Sequence, residues 1–201
     1  MTETNPKPSS LKITLSAIVL AGGKSSRMGH DKALISIAGV PLLRKVCEAT
    51  LCCTSQVYVV TAWSDRYRSI LPPTIQFILE VNPRSPLTGF AQALPQMQTD
   101  WILLLACDLP RLQSEVLYQT SKQLADVLPE AIALLPKGTK GWEPLCGFYR
   151  RDCLVNLQTF IDQGGQSFQH WLSNQVVQEW TLDNREMLFN CNTPYDLKLM
   201  N

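Results

Sequence analysis

Apolar residues along this chain come in short runs that stop at glycine, proline or aspartate. LSAIVL at 15–20 ends ahead of a glycine pair, and WILLLA at 101–106 ends at Cys107-Asp108. Unbroken runs of this length suit strands buried on both faces. Similar runs occupy Val57–Val60, Ile75–Leu79, Ala131–Leu135 and Leu145–Arg150. Between them the apolar spacing becomes helical. Leu42, Leu43, Val46 and Ala49 follow Pro41, a residue at home in a helix's first turn. Ser64 is placed to cap a short helix. Thr88 opens a helix to about Met97, and Val116, Leu117, Leu124 and Leu128 mark one face over Ser114–Leu128. Leu154–Ile161 and Phe168–Leu172 read as helices, and Thr193-Pro194 as the start of another. Strands alternating with helices on short connections predict an α/β fold with three layers, a mostly parallel sheet carrying helices on both faces.

Composition narrows this picture. With 201 residues and no repeat or linker, residues 11–201 read as one domain behind a polar tail, 1–10, expected to be flexible. Hydrophobic residues make up 45% and charged residues 17%, enough apolar material for a core and too little charge for a disordered chain. The net charge of +1 provides no global field to recruit nucleic acid or an anionic membrane, so an anionic ligand must be caught locally. No apolar stretch approaches the roughly 18 residues of a membrane span, and the tail lacks a signal peptide's apolar region, which points to the cytoplasm. Seven cysteines, an odd number without a CxxC pair, alongside two histidines argue for reduced thiols over a disulfide framework or a zinc site.

The densest chemistry lies in LAGGKSSRMGHDKAL, residues 20–34. It follows a strand, so it falls at the sheet's carboxyl edge, where open α/β sheets bind ligands. Gly22 and Gly23 let backbone approach a phosphate, and Lys24, Arg27 and Lys32 gather three cations within nine positions. This is no P-loop, because Ile18 stands where that motif needs glycine, and the G-x-G-x-x-G fingerprint is also absent. Asp108 directly follows the WILLLA strand. If the two strands are neighbours, its carboxylate opens into the same crevice, where magnesium would reconcile it with phosphates. The alternatives are a plain βα turn at 20–34 and an aspartate that merely caps the next turn. In PLTG, 86–89, Gly89 offers close backbone access. In NCNTPYDL, 190–197, Asn190 and Asn192 would share one side of a strand. His30 is expected to face solvent, His170 to be structural, and the five tryptophans are too dispersed for a stacking platform.

Taken in order, LAGGKSSRMGHDKAL, SPLTG, CDLP, EPLCGFYRR and NCNTPYDL resemble the molybdenum cofactor guanylyltransferases, over about residues 15–198. The resemblance implies a Rossmann-like nucleotidyltransferase fold. It also implies a magnesium-dependent transfer of GMP from GTP to the terminal phosphate of molybdenum-molybdopterin, with release of pyrophosphate. Cofactor synthesis proteins and acceptor proteins are the implied partners. By motif, Leu20, Ala21, Gly22 and Gly23 would hold GTP, Lys32 and Arg27 its phosphates, and Asp108 both magnesium and nucleotide. Thr61 and Glu80 would be further nucleotide contacts, and Asn190 and Asn192 would face the pterin side. The LAGG form resembles the guanylyl branch; the cytidylyl branch has LAAG. The chain departs from the family in having Ser85 where glycine often precedes Pro-Leu, and Thr61 where asparagine is frequent. Other readings are transfer from CTP or to a sugar phosphate, and a nucleotide-binding protein without catalysis.

Overall fold

The computed structural model describes residues 13–22 and 31–198. The chain runs β1 (Leu15–Leu20), β2 (Ser36–Ile37), β3 (Val40–Pro41), α1 (Leu42–Thr50), β4 (Val57–Thr61), α2 (Ser64–Tyr67), β5 (Gln76–Leu79), α3 (Pro86–Ala93), β6 (Trp101–Ala106) and α4 (Ser114–Lys122). It continues through β7 (Ala133–Leu135), β8 (Lys137–Gly138), β9 (Gly141–Trp142), β10 (Cys146–Arg150), α5 (Leu154–Asp162), α6 (Phe168–Leu172), β11 (Val177–Glu179) and α7 (Pro194–Lys198). Seven strands form one sheet in the order β11-β7-β10-β6-β1-β4-β5; β2 with β3, and β8 with β9, make two small antiparallel ribbons.

The unbroken apolar runs are buried on both faces, as their pattern requires. In β1, Ala17 and Val19 pack into one cluster and Ile18 into the other; in β6, Trp101, Leu103 and Leu105 face the first, Ile102 and Leu104 the second. α1 and α4 cover the first face through residues such as Leu43, Val46 and Leu117. α3, α5 and α6 cover the second, where Phe90, Tyr149, Phe168 and Trp171 form a linked aromatic group. These are the three expected layers, with one exception to parallel order. β10 runs antiparallel to both β6 and β7. Its direction therefore brings the segment before it, not after it, to the carboxyl edge of β6.

Several local expectations shift. Ser64 is the first residue of α2 and caps nothing; the Thr61 hydroxyl instead accepts from the Trp63 N–H at 3.1 Å. α3 begins at Pro86, because Ser85 and Thr88 form a capping box around its first turn, with Thr88 three residues in. The segment expected to be helical to Leu128 ends α4 at Lys122, and a 3-10 turn at Leu124–Asp126 follows. β11, absent from the expected elements, is a short strand with little burial and hence little apolar signal.

Candidate active site

After β1 the chain visits β4 and β5 on one side, then returns through β6 on the other. The turnaround between β1 and β6 is the point where doubly wound sheets open a crevice at their carboxyl ends. A cleft of about 570 Å³ lies there, walled by Leu20, Ala21 and Gly22 after β1, by Cys107 and Asp108 after β6, and by Glu80 and Gly89 farther out. Backbone bonds fix these segments to each other. Cys107 N–H donates to Leu20 O at 3.2 Å, Ala21 N–H to Val60 O at 2.9 Å, and Glu80 N–H to Thr61 O at 2.9 Å.

Lys32 enters from a 3-10 turn whose start is capped by Asp31, which accepts from Ala33 N–H at 3.1 Å. The Tyr67 hydroxyl steadies Asp31 from behind at 2.7 Å. The Lys32 ammonium then stands 3.5 Å from Asp108 Oδ2 and donates to Asn192 Oδ1 at 2.6 Å. Asn192 is delivered by a tail segment pinned twice. Cys191 N–H donates to the Asp108 carbonyl at 2.9 Å, and Asp196 accepts from both Asn192 N–H and Thr193 N–H. Burial raises the Asp108 carboxyl above its usual range, and Lys32 pulls it part of the way back.

At the other end of the cleft the Glu80 carboxylate sits where two missing side chains leave room. A Cβ on Gly22 would fall 2.0 Å from its Oε2, and one on Gly89 2.9 Å from its Oε1. Glu80 is 6% exposed, and burial alone raises its pKa. The role of these glycines is therefore shape as much as backbone freedom.

Of the residues singled out from the sequence, Leu20, Ala21, Gly22, Lys32, Glu80, Asp108, Asn190 and Asn192 all line this cleft. Gly23, Lys24, Arg27 and His30 lie outside the described residues. Thr61 does not reach the wall. It is fully buried, and its hydroxyl donates to Ala21 O at 3.1 Å, so it braces the loop instead of offering the direct nucleotide contact expected. Asn190 and Asn192 are not on a strand, and the Asn190 amide donates to Leu188 O at 3.2 Å. Sequence reasoning passed over Arg84 and Leu145, which also line the cleft. Leu145 sits inside EPLCGFYRR, where an apolar run at a strand's start carries no chemical signal.

The donors here suit a hard divalent cation. Asp108 and the Asn192 amide supply oxygen, and the half-buried carboxylate has Lys32 as a neighbouring cation. Among the described residues no group of three or more His, Cys, Asp or Glu forms a cage. That set fits an ion such as magnesium, which takes most of its ligands from phosphates and water.

A glycine-walled crevice at the switch point, with Lys32 and Asp108 paired in it, suits the handling of a nucleotide's phosphates, and similarity to known proteins gives the class as nucleotidyltransferase. The chain belongs to the MobA-like NTP transferase domain family, whose profile matches residues 17–178. It is 56% identical over 186 residues to a probable molybdenum cofactor guanylyltransferase of Trichormus variabilis, covering 92% of this chain and 90% of the relative. A protein of the same description from Synechococcus elongatus is 43% identical over 188 residues, covering 92% and 96%. Among solved structures, molybdopterin-guanine dinucleotide biosynthesis protein A from Archaeoglobus fulgidus superposes with a TM-score of 0.76 at 25% identity, covering 92% of this chain and 96% of that one.

Proposed function

We propose that this protein transfers GMP from GTP to the terminal phosphate of molybdopterin and releases pyrophosphate, in molybdopterin guanine dinucleotide biosynthesis. The observation that carries this reading is the meeting of Lys32, Asp108 and Asn192 at the mouth of a cleft whose far end holds Glu80 between two glycines. The names of the relatives support the same reaction.

An oxygen of the acceptor phosphate attacks the α-phosphorus in line. The new P–O bond forms as the bond to the β-phosphate oxygen breaks, and pyrophosphate leaves with that electron pair. Two anions must be brought together, so the chain's task is positioning and neutralisation. The backbone at Leu20–Gly22, with Gly23 beyond it, cradles the nucleotide. Lys32 donates to its phosphates, joined by Arg27. Asp108, assisted by Asn192, would hold magnesium. Magnesium, when bound, neutralises phosphate charge during transfer. Glu80 accepts from the N1–H and 2-amino group of guanine, adjacent donors that match the two oxygens of one carboxylate. Cytosine offers no such adjacent pair. Asn190 lies on the acceptor side. Among the described residues no helix is long and apolar enough to cross a membrane; we place the enzyme in the cytoplasm, between the proteins that make the cofactor and those that receive it.

The test supplies purified protein with magnesium, molybdopterin and either GTP or CTP, and follows pyrophosphate release. Release that needs both GTP and acceptor is expected. Release with CTP would overturn the base assignment, and release with neither would overturn the reaction.

A further inference from the structure

Glu80 has a counterpart on the other side of Asp108. Glu143 precedes β10, and because β10 is antiparallel to β6 this places it at the same carboxyl edge. Glu143 N–H donates to Pro136 O at 2.8 Å, just past the end of β7, and Ala106 N–H donates to Leu145 O at 2.9 Å. Leu145 lines the cleft, and Glu143 stands two residues before it, beyond the cleft's own lining. In strand order Asp108 stands between the two carboxylates, with Glu80 three spacings to one side and Glu143 one to the other. The total is about 19 Å at a spacing of about 4.8 Å.

The two carboxylates share one feature of construction. Glu143 also packs against a glycine: a Cβ on Gly138 would fall 2.1 Å from its Oε1. It is half-buried, burial raises its pKa, and no hydrogen bond to its carboxylate occurs among the described residues. Glu143 also has a guanidinium nearby: Arg185 lowers its pKa and donates to the Lys137 carbonyl. A carboxylate beside a guanidinium offers two acceptors and then a donor. Its complement is an edge with two donors followed by an acceptor. Guanine presents that edge as 2-amino, N1–H and O6. A pterin presents the same edge as 2-amino, N3–H and O4.

We infer that Glu143, with Arg185 beside it, receives the 2-amino-4-oxopyrimidine edge of the acceptor's pterin, as Glu80 receives that of guanine. This assignment rests on the guanylyl-transfer reading. It makes the crevice quasi-symmetric, with two chemically equivalent heterocycle sites facing each other across one phosphate-handling centre.

The test titrates the full chain with 6-hydroxymethylpterin phosphate and with its 2-oxo counterpart, 6-hydroxymethyllumazine phosphate, following pteridine fluorescence. GTP binding is measured in parallel. The wild type should prefer the pterin at least fivefold. Glu143→Gln should weaken pterin binding about tenfold, the scale of a hydrogen bond to a charged group, and erase the preference. Glu80→Gln should weaken GTP binding and leave the pterin preference in place. Equal binding of both pteridines by the wild type, or a Glu143→Gln preference within twofold of wild type, would overturn the assignment. If the pterin preference depends on Glu143 but the wild type transfers no GMP to molybdopterin, the transfer reading falls and the pterin site stands. If transfer proceeds and Glu143→Gln changes neither pterin binding nor the KM for molybdopterin, the site falls and the transfer reading stands.

Discussion

Asp108 and Glu80 are both carboxylates with raised pKa values, yet their surroundings assign them different work. Asp108 has Lys32 at 3.5 Å, which lowers its pKa against the effect of burial. Lys32→Ala removes that influence, so the Asp108 pKa should rise further. Metal binding needs the ionised form. The acid limb of the pH profile for kcat/KM with GTP should therefore move to higher pH, with GTP affinity reduced and the fold intact by circular dichroism. An unmoved acid limb would separate Lys32 from Asp108. Glu80 has burial alone to contend with. Its folded pKa lies above the unfolded one, so its contribution to stability is complete below the unfolded value, near 4.5, and is lost as pH rises through the folded value. Glu80→Gln should accordingly raise the Tm of the ligand-free protein at pH 7–8 and flatten its pH dependence above about 4.5, while weakening GTP binding. Stability bought at the expense of ligand is the expected signature of a binding residue, and a lower Tm would contradict this account.

At the scale of elements, what could be read ahead depended on whether the signal was local. LSAIVL and WILLLA are strands because nothing but two-sided burial accommodates such runs, and the glycines and Asp108 that follow them inherit their place at the sheet edge. The direction of β10 left no such mark, since CGFYR reads the same whichever way its neighbours run. Glu143 was hidden for the same reason: its position depends on that reversal. Thr61 shows the complementary failure, as a polar residue at a strand end looks like a ligand contact until its hydroxyl is found bonded to Ala21 O. The capping box at Ser85 was also missed, although its Ser-x-x-Thr spacing was available; the helix start was placed at Thr88 instead. Ser85→Ala should destabilise the protein by about 1 kcal/mol, the usual worth of such a cap. Urea unfolding should show a lower midpoint at unchanged m-value. No shift in the midpoint would mean that Thr88 alone holds the turn.

On the proposed function the molecule divides its labour across the sheet, with the nucleotide's groups at the ends of β1 and β5 and the acceptor's before β10 and in the tail. Asp108, just after β6, lies between them and would serve both. Removing divalent cations with EDTA should abolish transfer, and added magnesium should restore it. Asp108→Ala should lower turnover at least tenfold with magnesium present. Thermal stabilisation by GTP and magnesium together should shrink in that variant; near-normal turnover would remove the metal from Asp108. The division also has a consequence in time. Lys32 and Asn192, joined at 2.6 Å, are 160 positions apart. At about 5–20 residues per second of synthesis, a growing chain passes on the order of ten seconds or more between making one and making the other. During that interval β1, β4, β5 and β6 can already exist with Asp108 at their edge, while the residue that bridges to Lys32 does not. In the growing chain the nucleotide half is thus made before the segment that carries Asn192.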